Sequence, residues 1–116
     1  MKSYEKWSIW IADLEPVIGS EQGKKRPVLV ISETNLNELL PVVNVLPITS
    51  RKSNRKVYPN EALLQPDSGL INESIVLCYQ IRTLDKSRLT RHLGNIVENN
   101  TKQEIFEALK FQLGIE

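Results

Sequence analysis

Pro27-Val28-Leu29-Val30-Ile31 is an apolar run with no polar residue in it. A strand with one wet face alternates apolar and polar residues, so an unbroken run of this length reads as a strand buried on both faces. Pro27 stands at its first position, where a missing N–H is tolerated. Such a strand needs neighbours at its edges and layers on both faces, and the flanking sequence must supply them. Upstream, Ser8-Ile9-Trp10-Ile11-Ala12-Asp13-Leu14 is rich in aromatic and β-branched residues and reads as a first strand. Between the two, residues 15–25 hold Pro16, Gly19 and Gly23 among polar residues and read as a long loop. Downstream, residues 33–40 fit one or two helical turns stopped by Pro41. Val42-Val43-Asn44-Val45-Leu46-Pro47-Ile48 is another strand, in which Pro47 suggests an edge or a bulge.

Residues 51–56 form a basic loop, and residues 57–70, with two prolines and a glycine, offer only a short strand near their start. Ser74-Ile75-Val76-Leu77-Cys78-Tyr79-Gln80 reads as a strand. Residues 81–89 read as a turn holding a short helix capped by Asp85, and residues 93–97 as a last strand. At the end of the chain Thr101 and Glu104 make a capping box. Ile105, Leu109 and Leu113 share one helical face with Ala108, and Gly114 suits a left-handed C-cap. The expectation is one domain over residues 1–116, mainly β, with a helix over 101–113 packed on a mostly antiparallel sheet.

The 116 residues are 41% hydrophobic and 25% charged, a globular composition. A single cysteine excludes an intrachain disulfide framework and fits a reducing compartment. The N-terminal stretch carries charge within its apolar part, so no signal peptide is expected. No apolar run approaches the roughly 18 residues of a membrane span, and the expected location is the cytoplasm. The formal charge of +1 is unevenly spread. Three windows, 24–26, 51–56 and 82–91, hold eleven of the fifteen Lys and Arg residues and one acid, Asp85. They are either solvated loops or, if the fold gathers them, a phosphate-binding surface.

The usual catalytic sets are missing. There is no CxxC, HExxH or GxGxxG, and residues 19–24 fall one residue short of a P-loop and precede a strand. His92 is the only histidine, so a two-histidine ribonuclease pair is excluded. Cys78 lies between Leu77 and Tyr79 and reads as a buried, inert thiol. No acidic cluster has ligand spacing, so neither a metal nor a cofactor is expected. Arginine, lysine and hydroxyl groups remain. That equipment suits a polyanion, and it suits one reaction. RNA carries its own nucleophile, the 2′-hydroxyl, so an enzyme need only orient it, stabilise charge on the phosphoryl oxygens and help protons move. The planar fork of Arg fits those oxygens. From the basic windows and the adjoining hydroxyl, Lys24, Lys25, Ser50, Arg51, Lys52, Arg55 and Lys56 are candidate RNA-binding residues.

The stretch from Asp13-Leu14-Glu15-Pro16 through Gly19-Ser20-Glu21-Gln22-Gly23-Lys24-Lys25-Arg26 to Pro27-Val28-Leu29-Val30-Ile31-Ser32 resembles the N-terminal signature of the MazF/PemK toxins. Leu46-Pro47-Ile48-Thr49-Ser50, then Val76 through Gln80-Ile81-Arg82-Thr83-Leu84-Asp85-Lys86-Ser87-Arg88-Leu89, and the ending from Glu107-Ala108-Leu109 to Leu113-Gly114 follow in the family's order. The resemblance implies an SH3-like small barrel with a C-terminal helix, shared with CcdB-like toxins, working as a homodimer. It implies cleavage of single-stranded RNA to a 2′,3′-cyclic phosphate and a 5′-hydroxyl, and a MazE-like antitoxin with an acidic flexible segment. It places Arg26 and Thr49 at the family's catalytic arginine and threonine, and Glu21 on an acid of the substrate loop. Gln80 and Arg82 fall beside the RNA groove and the dimer contact. The sequence departs from the family at Trp7 and Ser8, where Gly-Asp is usual. Two alternatives stay open: a CcdB-like inhibitor of DNA gyrase on the same fold, and an inactive RNA-binding relative.

Overall fold

The computed structural model describes residues 3–116; Met1 and Lys2, the start of the stretch read as lacking a leader, lie outside them. Seven strands form one antiparallel array: β1 (Ser8–Asp13), β2 (Lys25–Val30), β3 (Val42–Ser50), β4 (Glu61–Leu64), β5 (Ser74–Leu77), β6 (Arg82–Asp85) and β7 (Leu89–Asn95). Two helices complete the chain, α1 (Thr34–Leu39) and α2 (Asn99–Leu113). The order across the sheet is β4-β5-β3-β2-β1-β7, with β6 also paired to β3. The result is the expected small barrel-like sheet carrying a C-terminal helix.

The apolar run does what its pattern requires. Leu29 packs into one core cluster with Ile9, Leu46, Val76 and Ile105, while Val28 and Val30 pack into a second with Trp10, Val45 and Leu84. Successive side chains point to opposite faces, and both faces of β2 are dry because each meets its own cluster. The strand starts two residues before Pro27, at Lys25.

β3 is central rather than an edge. It pairs with β2 along one side, and on the other with β6 through residues 42–45 and with β5 through residues 48–50. Pro47 sits at that changeover, where a strand without a partner needs no N–H. The short strand expected after residue 57 lies at Glu61–Leu64, between Pro59 and Pro66. The strand expected over 74–80 stops at Leu77. Cys78–Gln80 instead turn as a 3-10 segment that tucks Cys78 beneath α2, its Sγ 3.9 Å from the Ile105 carbonyl. Asp85 caps the next 3-10 turn, accepting the Ser87 amide at 2.9 Å. β6 was not expected within that segment, and β7 starts at Leu89 rather than at 93.

α2 also starts early. The Lys102 amide already bonds the Glu98 carbonyl at 3.1 Å, so Thr101 lies inside the first turn and the capping box does not form. Ile105 and Ala108 anchor the helix, whereas Leu113 is half exposed because the last turn overhangs the sheet. Gly114 closes it at φ 68°, with the Ile115 amide on the Lys110 carbonyl at 2.9 Å. At the other end of the fold, Trp7 takes φ 75°, a region in which glycine is at ease. Its amide bonds the Val30 carbonyl at 2.7 Å and its carbonyl accepts the Ile96 amide at 2.9 Å. Ser8 is buried. Its hydroxyl donates to the Glu5 carbonyl and accepts the Trp10 indole N–H at 2.9 Å.

Glu61 is a buried carboxylate held by a two-bonded fork from Arg55, at 2.9 and 2.8 Å, and by the Tyr58 amide. The hydrogen bonds from Arg55 hold its carboxyl below the usual range, against the opposing effect of burial. That stability is present above the ordinary glutamate value of about 4.3 and lost as pH falls through the lower folded value. Thermal melts across the acid range should therefore show a shallower loss of Tm for Glu61→Gln than for the parent, and parallel curves would contradict the pairing. Ile105→Ala removes a fully buried side chain at the contact between α2 and the sheet. It should cost about 2–5 kcal/mol, read from the urea unfolding midpoint.

Candidate active site

The loop over residues 14–24 delivers Arg26 to β2. The Leu14 amide bonds the Lys24 carbonyl at 2.9 Å, closing the loop's neck, and Lys24 takes φ 63°. β2 then pairs with β1, Ala12 opposite Arg26. On its other side β2 pairs with β3 through Val28 and Pro47. Arg26 and Thr49 lie two residues beyond that last pair, one on each strand, where side chains of neighbouring strands can meet one ligand. Both residues line a cavity of about 450 Å³, with Ser50, Asn72, Ser74 and Arg91 as the other polar groups. No carboxylate lines it. Arg26 is half buried, and its Nε donates to the Gly23 carbonyl at 3.1 Å. That bond fixes the plane of the guanidinium and leaves the two terminal nitrogens without a partner among the described residues. Thr49 pairs in register with Ile75, and Ser50 with Ser74.

The far wall depends on two glycines. Gly69, at φ 93°, lies against the backbone of Leu93, and Gly94 lies against the carbonyl of Ser68. A β-carbon at either place would push the segment carrying Leu70 to Asn72 off β7.

Glu21 does not join this cavity. It borders a separate depression with Ser20, Gln80 and Arg82, and its carboxylate accepts the Ile18 amide at 2.6 Å. Gln80 and Arg82 hold the same loop from outside. The Gln80 side-chain carbonyl accepts the Gln22 amide at 2.7 Å, and Arg82 donates to the Leu14 carbonyl at 3.1 Å. Arg88 donates to the carbonyls of Asp13 and Glu15.

The basic loop is partly neutralised. Arg51 pairs with Glu73 at 3.1 Å, and Arg55 is committed to Glu61. Of the expected RNA-binding residues, Lys24, Lys25, Lys52, Lys56 and Ser50 are exposed. Cys78 is buried, and burial pushes its thiol up to about 12. His92 lies over the Trp10 ring at 5.1 Å, with Nε2 2.6 Å from Asn95 Oδ1. Among the described residues no three His, Cys, Asp or Glu side chains are arranged to hold a metal. A larger depression of about 700 Å³ runs along α2, but Glu61, Glu104 and Glu107 line it, the wrong sign for a polyanion.

Sequence reasoning missed Arg91, Asn72 and Ser74 as cavity residues. Arg91 lies in a basic window but falls between the turn expected over residues 81–89 and the strand expected from residue 93. Asn72 and Ser74 flank a strand start, and nothing in the sequence marks that start as facing Thr49.

Comparison with known proteins identifies the fold and the family. The model of the family described as PemK-like, MazF-like toxin of type II toxin-antitoxin system matches residues 5–113. Endoribonuclease MazF of Staphylococcus saprophyticus is 37% identical over 107 residues, covering 92% of this chain and 88% of that protein. The crystal structure of MazF (Form-I) from Deinococcus radiodurans superposes with a TM-score of 0.78 at 30% identity, covering 96% of each chain. MazE-MazF (Form-II) from the same organism gives 0.77 at 28%, covering 100% of each. Arg26, Thr49 and the glycine-bearing loop thus stand on a fold shared along the whole chain, and the protein belongs to the PemK-like, MazF-like toxin family of type II toxin-antitoxin systems.

Proposed function

We propose that this toxin is an endoribonuclease that cuts single-stranded RNA in the cavity between β2 and β3, without a metal, using the RNA's own 2′-hydroxyl. The observation that carries this reading is that Arg26 and Thr49 line one cavity with no carboxylate. The 2′-oxygen bonds to phosphorus as the bond to the 5′-oxygen breaks, giving a 2′,3′-cyclic phosphate and a 5′-hydroxyl. The 2′-hydroxyl loses its proton and the leaving oxygen gains one. The Arg26 guanidinium stabilises charge on the phosphoryl oxygens, and the Thr49 hydroxyl donates to the same phosphate. Arginine keeps its proton, with a pKa above about 12, so Arg26 is not the base. Glu21, on the separate depression, orders the substrate loop together with Gln80 and Arg82.

The remaining roles follow from surface chemistry. Lys24, Lys25, Lys52 and Lys56 attract RNA, while Arg51 and Arg55 shape the loop that presents Ser50. Exposed Tyr58, Tyr79, Ile81 and Phe111 gather apolar surface where two copies of the chain meet as a homodimer. An antitoxin with an acidic, flexible segment covers the basic surface, supported by the MazE-MazF assembly of a neighbour matched along its full length. No described helix is long and apolar enough to cross a membrane, and the place of action is the cytoplasm, where RNA is.

A long single-stranded RNA incubated with the protein in EDTA should give discrete fragments ending in cyclic phosphate. Arg26→Ala and Thr49→Val should each slow cleavage roughly 100- to 1000-fold while keeping fold and antitoxin binding. Arg26→Lys should also be poor, because an ammonium lacks the fork. Folded variants that stay toxic, with RNA uncut even by the parent, would replace this reading with gyrase poisoning. In sedimentation the parent should run as a dimer at micromolar concentration and Phe111→Glu as a monomer; a monomeric parent contradicts the interface.

A further inference from the structure

We propose that Arg91 binds a phosphate of the RNA chain next to the scissile one, giving the cavity a second phosphate seat on β7. The inference rests on the cavity being the place of cleavage, and it concerns a residue outside the pair that acts there.

The six arginines of the chain divide sharply. Arg51 and Arg55 are paired to Glu73 and Glu61. Arg82 donates to the Leu14 carbonyl and Arg88 to those of Asp13 and Glu15, while Arg26 gives only its Nε to the Gly23 carbonyl. Arg91 has no hydrogen bond or ion pair among the described residues, yet it lines the same cavity as Arg26 and Thr49. Two guanidinium groups border one cavity with no carboxylate to balance them. That is a standing repulsion which an anion relieves, and an anion with several charges at regular spacing relieves it best.

The strand geometry fixes where that seat lies. Arg91 pairs across β7 with Ile11 of β1, and Ile11 pairs with Pro27 of β2. Arg91 therefore stands two strand spacings, roughly 10 Å, from the strand that carries Arg26. Through Ile11, Arg91 shares the strand face of Pro27 while its neighbour Arg26 takes the opposite one, so the two forks reach the cavity along different lines and suit two phosphates of one chain. A bulge adjoins it. One step along β1, from Ile11 to Ala12, answers two along β7, from Arg91 to Leu89, so Thr90 is the extra residue. The Thr90 hydroxyl returns to the Ile11 carbonyl at 3.3 Å. Bulges of this kind re-aim the neighbouring side chain, and here the side chain is the unbonded arginine.

The test uses an oligoribonucleotide spanning a mapped cut site, with one 2′-deoxy sugar at the cut so that it binds without reacting. For Arg91→Gln its dissociation constant should rise about tenfold, and the slope of log affinity against log salt should fall by about 0.7. On the ordinary RNA, KM should rise in step with the lost binding, and the cut sequence should stay the same. A neutral methylphosphonate placed at each phosphate in turn should weaken parent binding at one flanking position, and Arg91→Gln should lose nothing further there. Unchanged affinity and salt slope for Arg91→Gln overturn the proposal. So does a changed cut sequence at unchanged affinity, which would make Arg91 a reader of bases, or coupling confined to the scissile phosphate. Arg26→Ala, assayed beside it, separates the two readings: if that variant cuts as fast as the parent, the cavity itself is misassigned. Arg91 is exposed and unbonded, so the melting temperature of the variant should equal that of the parent.

Discussion

The pairing of Val28-Leu29-Val30 with Val45-Leu46-Pro47 is the constraint on which the rest of the molecule depends. All five of the non-proline apolar residues in it are inaccessible to solvent. A slip of one residue would turn each of them to the opposite cluster. The register is thus pinned by burial on two faces at once, more firmly than in a sheet with one wet face. Arg26 and Thr49 stand on the same two strands two residues beyond the buried pairs, so the core fixes where each strand carries them. The strands set where the two residues stand, and the Gly23 carbonyl of the preceding loop sets the plane of the guanidinium.

The long loop before β2 meets a different demand. It must reach over the surface, yet its backbone amides and carbonyls need partners. Three side chains from the stretch after β5 supply them: Gln80 to Gln22, Arg82 to Leu14, and Arg88 to Asp13 and Glu15. Glu15 and Glu21 serve the loop from within, accepting the Lys24 and Ile18 amides. This division explains why a motif rich in charge holds few charges for substrate. Much of the block from Gln80 to Arg88 keeps one loop in place, and among the described arginines those with open terminal nitrogens lie on β2 and β7.

The parts of this arrangement that were legible in the sequence are those set by local pattern. The doubly buried strand, the Asp85 cap, the left-handed Gly114 and the apolar anchors Ile105 and Ala108 each follow from spacing alone. The parts that were not legible are set by long-range partners. Pro47 looked like an edge marker because nothing local reveals a strand that changes partner midway. The helix start at Asn99 depended on Ile96 being tied to Trp7, eighty-nine residues away in the chain. The division between Arg55, committed to a buried carboxylate, and Arg91, left open on a cavity, is invisible in composition, since both sit in basic windows. Arg26 and Thr49 were singled out through the motif that surrounds them, and the structure places both on one cavity.

Trp7 and Ser8 show how a departure from the family pattern is absorbed. Glycine enters the left-handed region freely, and a tryptophan there carries a steric cost on the order of 1–2 kcal/mol. Its backbone nevertheless keeps both hydrogen bonds, to Val30 and Ile96. Its ring packs edge-on against Phe106 at 5.6 Å, with Lys6 and Lys102 nearby. A glycine could make no such contact, so the ring offsets strain by tying the start of β1 to α2. Ser8 replaces a charged acceptor by a neutral one, and its single hydroxyl serves both Glu5 and the Trp10 indole. That indole stands on β1 between β2 and β7, the strands that carry Arg26 and Arg91. The entry into β1 is therefore held by packing and one neutral bridge rather than by a glycine and a carboxylate, and the strand still delivers Ile11 and Ala12 in register to the two arginines.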